Sequence, residues 1–149
     1  MQKEFKVAEV KLSYRRKKNA EKIIIKSSED AYKVLKNTYS SSDIQYRESF
    51  KVLYLNNSGE VLGVNIIGVG GVTETTADVR VIMQGALLAN ATRIILCHNH
   101  PSGLAKPSRE DISVTHRISE GGKILRIEVV DHIIVTEDNY YSFADEGNL

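Results

Sequence analysis

The stretch CHNHPSGLAKPSRED, at Cys97–Asp111, decides how the rest of the chain is interpreted. The residues leading into it, RIILC at 93–97, form a short apolar run rich in β-branched side chains, which predicts a buried strand. Side chains two residues apart on a strand share a face and lie about 6 to 7 Å apart along the backbone. His98 and His100 therefore point to the same side of the strand end, at a separation that suits two ligands of one cation.

A turn and a helix follow the two histidines. The Pro-Ser-Gly sequence at 101–103 ends the strand, and the next residues predict a helix with Ser108 as its N-cap. Asp111 then falls at the third helical position, in the first turn and beside the strand end. Two imidazoles and one carboxylate, from His98, His100 and Asp111, would leave a tetrahedral zinc ion with an open fourth position, which is typical of catalytic sites.

Each part of this pattern also has a purely structural explanation. A histidine pair can simply end a strand, and Ser108 with Asp111 fits a capping box that needs no metal. The parts coincide within residues 98–111, with proline and glycine where the chain must reverse, and this coincidence favours the metal site.

The motif also resembles a known one. His98-x-His100, seven residues, Ser108, two residues and Asp111 match the JAMM (MPN+) metalloprotease motif H-x-H-x7-S-x2-D. The surrounding segments HNHPSG, PSREDISVT and DHIIV look like the RadC-like JAB branch of that family, and Asn99, where many JAMM enzymes have serine or threonine, favours the same branch. The resemblance covers the chain from about residue 46 to its last residue, and more loosely from about residue 27.

The resemblance implies a function and residue roles that spacing alone does not supply. It implies a hydrolase holding one Zn²⁺ per chain, which cleaves a peptide or isopeptide bond with a metal-activated water. Glu48, at the head of an upstream strand, takes the position of the family's general base and acid. Ser108 takes that of the hydrogen-bond donor to the oxyanion. The implied partner is a peptide or protein substrate, with a ubiquitin-like modifier as one candidate.

Composition and patterning predict a single α/β domain, with a mixed β-sheet flanked by helices. The 149 residues are 42% hydrophobic and 26% charged, which is ordinary for a globular domain. The resemblance implies that the fold is of the JAB/MPN type, related to the cytidine deaminases. Neither a long apolar run nor a signal-peptide core occurs, so a cytoplasmic protein without a membrane partner is expected. We divide the chain into a basic, β-rich N-terminal arm (1–45) and a metallohydrolase core (46–149).

The N-terminal arm differs in charge from the rest of the chain. Residues 1–26 hold nine Lys/Arg and three Glu, a net charge of +6, whereas the remainder holds eleven and sixteen, a net charge of −5. Such an arm could contact nucleic acid, an acidic partner or a second copy in a homodimer. A solvated turn at 15–18 between two strands, at Val10–Tyr14 and Lys22–Lys26, explains the charges equally simply and is favoured, because no aromatic residues are interleaved.

The remaining elements follow from capping and periodicity. We predict three helices: one from Ser27 or Ser28 to near Thr38, one capped by Asp78, and one after Asp111 that ends at Gly121–Gly122. We predict a strand at Ser49–Leu55 with a hairpin partner at Glu60–Val69, and further strands within 124–136 and at 140–143.

Two other residues near the motif have more than one explanation. Cys97 should point away from His98, which favours core packing over metal ligation. His132 could contact a metal ligand or a substrate, but its apolar neighbours favour a core histidine.

Two other classes of protein fit the sequence less well than the metallohydrolase. Zinc deaminases need H-x-E and P-C-x-x-C, which a single cysteine excludes. A non-catalytic protein- or DNA-binding module of the RadC type is the alternative function. The intact ligand set, His98, His100 and Asp111, argues for the enzyme.

Overall fold

The computed structural model of the protein describes residues 6–70 and 77–149. These residues form three helices and five strands, which are, in chain order, α1 (Ser28–Lys36), β1 (Ser49–Leu55), β2 (Val61–Val69), α2 (Val79–Leu88), β3 (Arg93–Asn99), α3 (Arg109–Leu125), β4 (Glu128–Val135) and β5 (Tyr140–Ser142). No helix within the described ranges is long and apolar enough to cross a membrane.

The five strands make one mixed sheet in the order β2-β1-β3-β4-β5. β1 is antiparallel to both of its neighbours, and β5 is antiparallel to β4. β3 and β4 are parallel, and α3 provides the crossover between them. The predicted α/β class and mixed sheet are thus confirmed.

The helices cover both faces of the sheet. α1 packs on one face, where Ala31 and Leu35 join a core that includes Cys97. α2 and α3 pack on the other face, where Ile82 and Ile118 contact the second core. Cys97 therefore lies in the core and points away from the face of His98, as predicted.

All three helices begin at the residues that the sequence indicates. Ser27 caps α1 and Asp78 caps α2, each through a side-chain oxygen that accepts a backbone N–H. Ser108 caps α3, and its capping box with Asp111 is complete in both directions. The capping-box explanation of these residues is therefore correct, and it does not compete with a metal site because one carboxylate takes part in both arrangements.

The predicted end of α3 is wrong. The helix continues through Gly121–Gly122 to Leu125, and Arg126 makes the C-cap in the left-handed conformation. Gly122 has a packing role instead: a Cβ there would lie 2.3 Å from the carbonyl oxygen of Ile127. The glycine allows β4 to begin directly against the last turn of the helix.

The two strands predicted in the arm are not formed. Val10 and Leu12 are 84% and 79% exposed, and no strand is present from residue 6 to 26. The only β pairing there is a single bridge between Ile24 and Glu60. Alternation alone misled the prediction, because a strand also needs a neighbouring edge with which to pair. Residues 1–5 of the arm lie outside the described residues.

Candidate metal centre

The end of β3 carries the two histidines to the first turn of α3. Ile94, Leu96 and His98 alternate along the face of the sheet that α2 and α3 cover. His100 follows just beyond the strand and continues the same alternation. Because α3 begins at residue 109 with Asp111 in its first turn, the carboxylate lies against both imidazoles.

Three candidate ligand side chains converge at this point. The Nε2 atoms of His98 and His100 lie 2.9 Å apart. Asp111 places Oδ1 3.2 Å from His98 Nε2 and Oδ2 3.3 Å from His100 Nε2. His98 is buried, whereas the other two side chains are partly exposed. A tetrahedral ion bound at about 2.1 Å sets its ligand atoms about 3.4 Å apart, so this spacing fits a single small cation.

A chain of hydrogen bonds fixes the tautomer of His98. The Thr115 hydroxyl donates its one proton to the Asp111 carbonyl, at 2.6 Å. Its oxygen must therefore accept from Nδ1–H of His132, also at 2.6 Å. Neutral His132 then offers its Nε2 lone pair to Nδ1–H of His98, at 2.8 Å. His98 is consequently left with a lone pair on Nε2, the atom that faces the other two ligands.

His100 is oriented in the same way by a different partner. Its Nδ1 lies 2.8 Å from the carbonyl oxygen of Leu104, which can only accept a hydrogen bond. Nδ1 of His100 therefore carries the proton and Nε2 carries the lone pair. Two lone pairs and a carboxylate facing one point form a donor set suited to zinc or a similar divalent cation.

The protonation equilibria of the cluster reflect burial and mutual contact. Burial lowers the pKa of His98 more than its contact with Asp111 raises it. Burial also lowers the pKa of His132, to well below 6.5, with a further contribution from His98. For His100, burial is opposed by the bonds to Asp111 and Leu104, and the net effect is a raised pKa. For Asp111, burial would raise the pKa, but His100 and His98 hold it well below its ordinary value.

Glu48 lies beside the three candidate ligands. It is only 7% exposed and lines the same cleft as His98, His100 and Asp111. The pairing of Phe50 with His98, continued by two residues along both strands, sets Glu48 opposite His100. The charge of Glu48 also helps to raise the pKa of His100, which reflects this proximity. Burial has the largest effect and lowers that pKa, and the bonds to Asp111 and Leu104 raise it more than Glu48 does.

Asn99 attaches the segment that bears Glu48 to the end of β3. Its side chain is fully buried on the face opposite His98. The amide oxygen accepts from Ser49 N at 2.8 Å, and the amide nitrogen donates to the carbonyls of Ile44 and Arg47 at 2.9 and 2.7 Å. Asparagine between the two histidines thus fixes residues on both sides of Glu48, which a serine or threonine hydroxyl with one proton could not do.

Ser108 lies at the mouth of the site. Its Oγ accepts from Asp111 N at 3.1 Å, and its own N–H donates to Asp111 Oδ2 at 2.8 Å. The cap uses the hydroxyl only as an acceptor, so its proton can be donated into the cleft that Ser108 lines. The cleft has a volume of about 780 Å³ and reaches from Glu48 past the three ligands to the first turns of α3.

The structure brings together all five residues singled out from the sequence: His98, His100, Asp111, Glu48 and Ser108. Their roles as ligands, base and oxyanion donor stay predictions.

Two contributors, Asn99 and Thr115, were not recognised as parts of the site, and for His132 a contact with a metal ligand was considered but not favoured. The residue types offered one signal, since His132 is one of only four histidines and lies in an apolar segment. It is a core histidine, as its neighbours indicated, and it also contacts His98.

The chain is similar to known proteins. The family model described as "RadC-like JAB domain" matches residues 25–148. A UPF0758 protein of Flavobacterium johnsoniae is 41% identical over 136 residues, which cover 89% of this chain and 58% of the relative. UPF0758 proteins of Porphyromonas gingivalis and Methanosarcina mazei are 46% and 37% identical, over 69% and 83% of this chain and 46% and 52% of their own lengths. The chain thus spans about half the length of these curated relatives.

Proposed function

The chain belongs to the family of RadC-like JAB domains, and from this premise we propose that it is a metal-dependent hydrolase of the JAMM type that cleaves peptide or isopeptide bonds. One observation carries the proposal: the Nε2 lone pairs of His98 and His100 and the carboxylate of Asp111 face one point, at separations of 2.9 to 3.3 Å. A histidine pair that only ended a strand would need no such convergence.

The three side chains would hold a divalent cation, for which zinc is our candidate. When bound, such a cation polarises a carbonyl and lowers the pKa of a water molecule to about 7. His98 and His100 need no deprotonation to bind it in the tautomers described, because the proton of each neutral ring is already on Nδ1. Asp111 is ionised throughout the physiological range, since its pKa is held far below neutrality.

Glu48 and Ser108 would perform the proton transfer and the charge stabilisation. The Glu48 carboxylate, buried beside His100, would accept a proton from the attacking water and return it to the leaving amine. The Ser108 hydroxyl would donate to the oxygen that becomes negative in the transition state, a contribution worth about 3 kcal/mol where such donors have been removed. Asn99 would keep Glu48 in position through the bonds on either side of it.

The first experiment measures metal content. The full chain is loaded with zinc and desalted, and zinc is then determined by elemental analysis. About one zinc per chain is expected for the wild type, with loss in His98→Ala and Asp111→Asn, since each removes one of three protein ligands. His116→Ala and Asp138→Asn are the matched controls, because both residues are exposed and away from the cleft. Absence of zinc in the wild type would overturn the proposal and favour the non-catalytic binding module.

The second experiment measures hydrolysis. Zinc-loaded wild type is incubated with a mixture of peptides and isopeptide-linked peptides, and the products are identified by mass spectrometry. Glu48→Gln should retain zinc and lose about 100-fold or more in rate, because a positioned general base contributes about 10²–10⁴-fold. Hydrolysis that persists unchanged in Glu48→Gln would contradict the role of this carboxylate.

We also propose a partner for the basic N-terminal arm. The net charge of +6 on residues 1–26 supports contact with an anionic surface, either a nucleic acid or a second copy of the acidic body. Loss of nucleic-acid affinity on neutralising residues 15–18, measured at low salt, would support the nucleic acid. A dimer that dissociates on the same change would support the second copy.

A further inference from the structure

Three cationic side chains line the cleft that holds the metal ligands. Arg109 and Arg117 project from α3, and Lys106 lies in the loop before it. None of the three makes a salt bridge or a side-chain hydrogen bond with another described residue. Elsewhere Arg16, Lys33 and Lys123 are each held by a glutamate. Among the described residues, the cations beside the site therefore have no ion-pair partner that would compete with a ligand in the cleft.

The charges in the cleft are arranged in two layers. Glu48 and Asp111 are at the floor with the histidines, and a divalent cation bound there would offset their two negative charges. At the rim, Glu110 is the only carboxylate among the described lining residues, against the three cations Lys106, Arg109 and Arg117. The rim therefore has a net positive charge. Once a bound metal offsets the negative charge of the floor, the cleft should attract anionic groups.

The spacing of the rim cations fits an extended chain. Arg109 and Arg117 are eight residues apart on α3, which is about 12 Å along the helix axis at about 1.5 Å per residue. An extended peptide advances about 3.3 Å per residue, so this distance corresponds to acidic side chains about four residues apart. Ser113, between the two arginines, also lines the cleft and offers a hydroxyl to a passing backbone.

From this arrangement, and resting on the proposed function, we propose that the substrate is an acidic peptide segment. Its Glu or Asp side chains would contact Lys106, Arg109 and Arg117 while the scissile bond lies over His98 and His100.

The lining of the cleft favours a peptide over a nucleic acid. Proteins that bind single strands stack bases on exposed aromatic side chains. Phe50 is the only Phe, Tyr or Trp among the described lining residues, and it is 2% exposed. Histidine supplies the only other aromatic rings among the described lining residues, so the cleft offers charge and backbone hydrogen bonds but no exposed Phe, Tyr or Trp on which a base could stack.

A binding experiment tests the inference without depending on turnover. The probe is a fluorescein-labelled peptide with glutamates four residues apart, compared with the same peptide carrying glutamines. Anisotropy is measured with the zinc-loaded full chain in the Glu48→Gln background, so that bound peptide is not cleaved. The acidic peptide should bind more tightly. Neutralising Lys106, Arg109 and Arg117 to Gln should weaken its binding by about two- to fivefold per cation, the size expected for exposed ion pairs.

The matched control lies at the other end of the same helix. Lys123→Gln with Arg126→Gln removes two positive charges at about 20 Å from Asp111, where these residues line a different cavity. This variant should bind the acidic peptide as the parent does, and the difference between the two peptides should shrink as salt is added. Equal affinity for the two peptides, or equal loss in the control, would overturn the inference. Tighter binding of an oligothymidylate, lost in the rim variants, would also overturn it in favour of a nucleic acid.

Hydrolysis by the wild type separates this inference from the proposed function. Selective binding of the acidic peptide without cleavage of any peptide would support an acidic peptide as the ligand of the cleft and refute the hydrolase. Cleavage of acidic and glutamine peptides at equal kcat/KM would refute the substrate class and leave the hydrolase standing.

Discussion

His132 should control metal affinity although it is not a ligand. Its ring is fully buried and its Nε2 accepts the Nδ1–H of His98 at 2.8 Å. His132→Leu keeps a similar volume among apolar neighbours, including Phe50 and Phe143, but removes that acceptor. The tautomer of His98 that binds a cation would then contain an unsatisfied buried N–H, at a cost of about 1–3 kcal/mol.

The metal-free variant can avoid this cost, whereas the metal-bound variant cannot. Without metal, His98 can move its proton to Nε2 and donate it to Asp111 Oδ1, which is 3.2 Å away. Binding the cation then requires the proton to move from Nε2 back to Nδ1, where His132→Leu leaves it without an acceptor. At about 1.4 kcal/mol per tenfold, the expected loss of zinc affinity is about 10- to 100-fold, as for other residues that orient a metal-bound histidine.

The assay is competition for zinc with a chromophoric chelator at neutral pH. His116→Leu is the matched control, since it removes an exposed histidine from α3 outside the cleft. Thr115→Val should give a smaller loss, because His132 remains but its own tautomer is no longer fixed by the hydroxyl. NMR of the histidine ring nitrogens in the wild type gives a second readout, the position of the proton on His98. It does not depend on whether a variant folds. Wild-type affinity in a folded His132→Leu, or a proton on Nε2 of wild-type His98, would refute the reasoning.

Three further predictions concern single residues. Burial raises the pKa of the Cys97 thiol to about 12, and the side chain is inaccessible, so iodoacetamide at pH 8 should label it only when the protein is unfolded; mass spectrometry with and without denaturant checks this. Because the pKa of His100 is raised above 6.5 and only its neutral form binds a cation, zinc affinity should fall as the pH is lowered through that pKa, and chelator competition between pH 5 and 8 follows it. Gly122→Ala should destabilise the protein by about 1–3 kcal/mol in urea unfolding, since its Cβ would meet the Ile127 backbone, whereas the Cβ of Gly121→Ala would meet only Cγ1 of Val79 at 3.0 Å, and this variant should cost less.

Those parts of the fold that depend on local chemistry could be predicted from the sequence. The caps at Ser27, Asp78 and Ser108 were readable because a cap is a contact between residues two or three apart. The convergence of His98 and His100 followed from the two-residue period of a strand. Parts that depend on distant partners were not readable. The predicted strand at Val10–Tyr14 forms no backbone pairing with any described strand.

Asn99 shows why part of the candidate site was missed. Its position between two histidines was noted only as a departure from the motif of related enzymes. Its bonds reach Ile44, Arg47 and Ser49, about fifty residues away in the chain. Alternate residues of β3 face opposite sides of the sheet. The same three-residue segment therefore presents two candidate ligands on one side, and on the other side Asn99, which holds the residues flanking Glu48. No spacing rule within the segment could indicate the second function.

The position of His132 depends on a single irregularity in the sheet. β3 and β4 pair in register at Ile94 with Val129, but the next pair is Ile95 with Asp131, so Val130 is an extra residue in β4. If the register continued unbroken, with Val130 paired to Ile95, His132 would lie opposite Cys97 and point to the other face of the sheet, since a shift of one residue reverses every side chain. With Val130 as an extra residue, His132 lies opposite Leu96, on the face of His98. The bulge therefore determines whether this histidine is part of the site, and bulges of this kind are frequent beside functional residues.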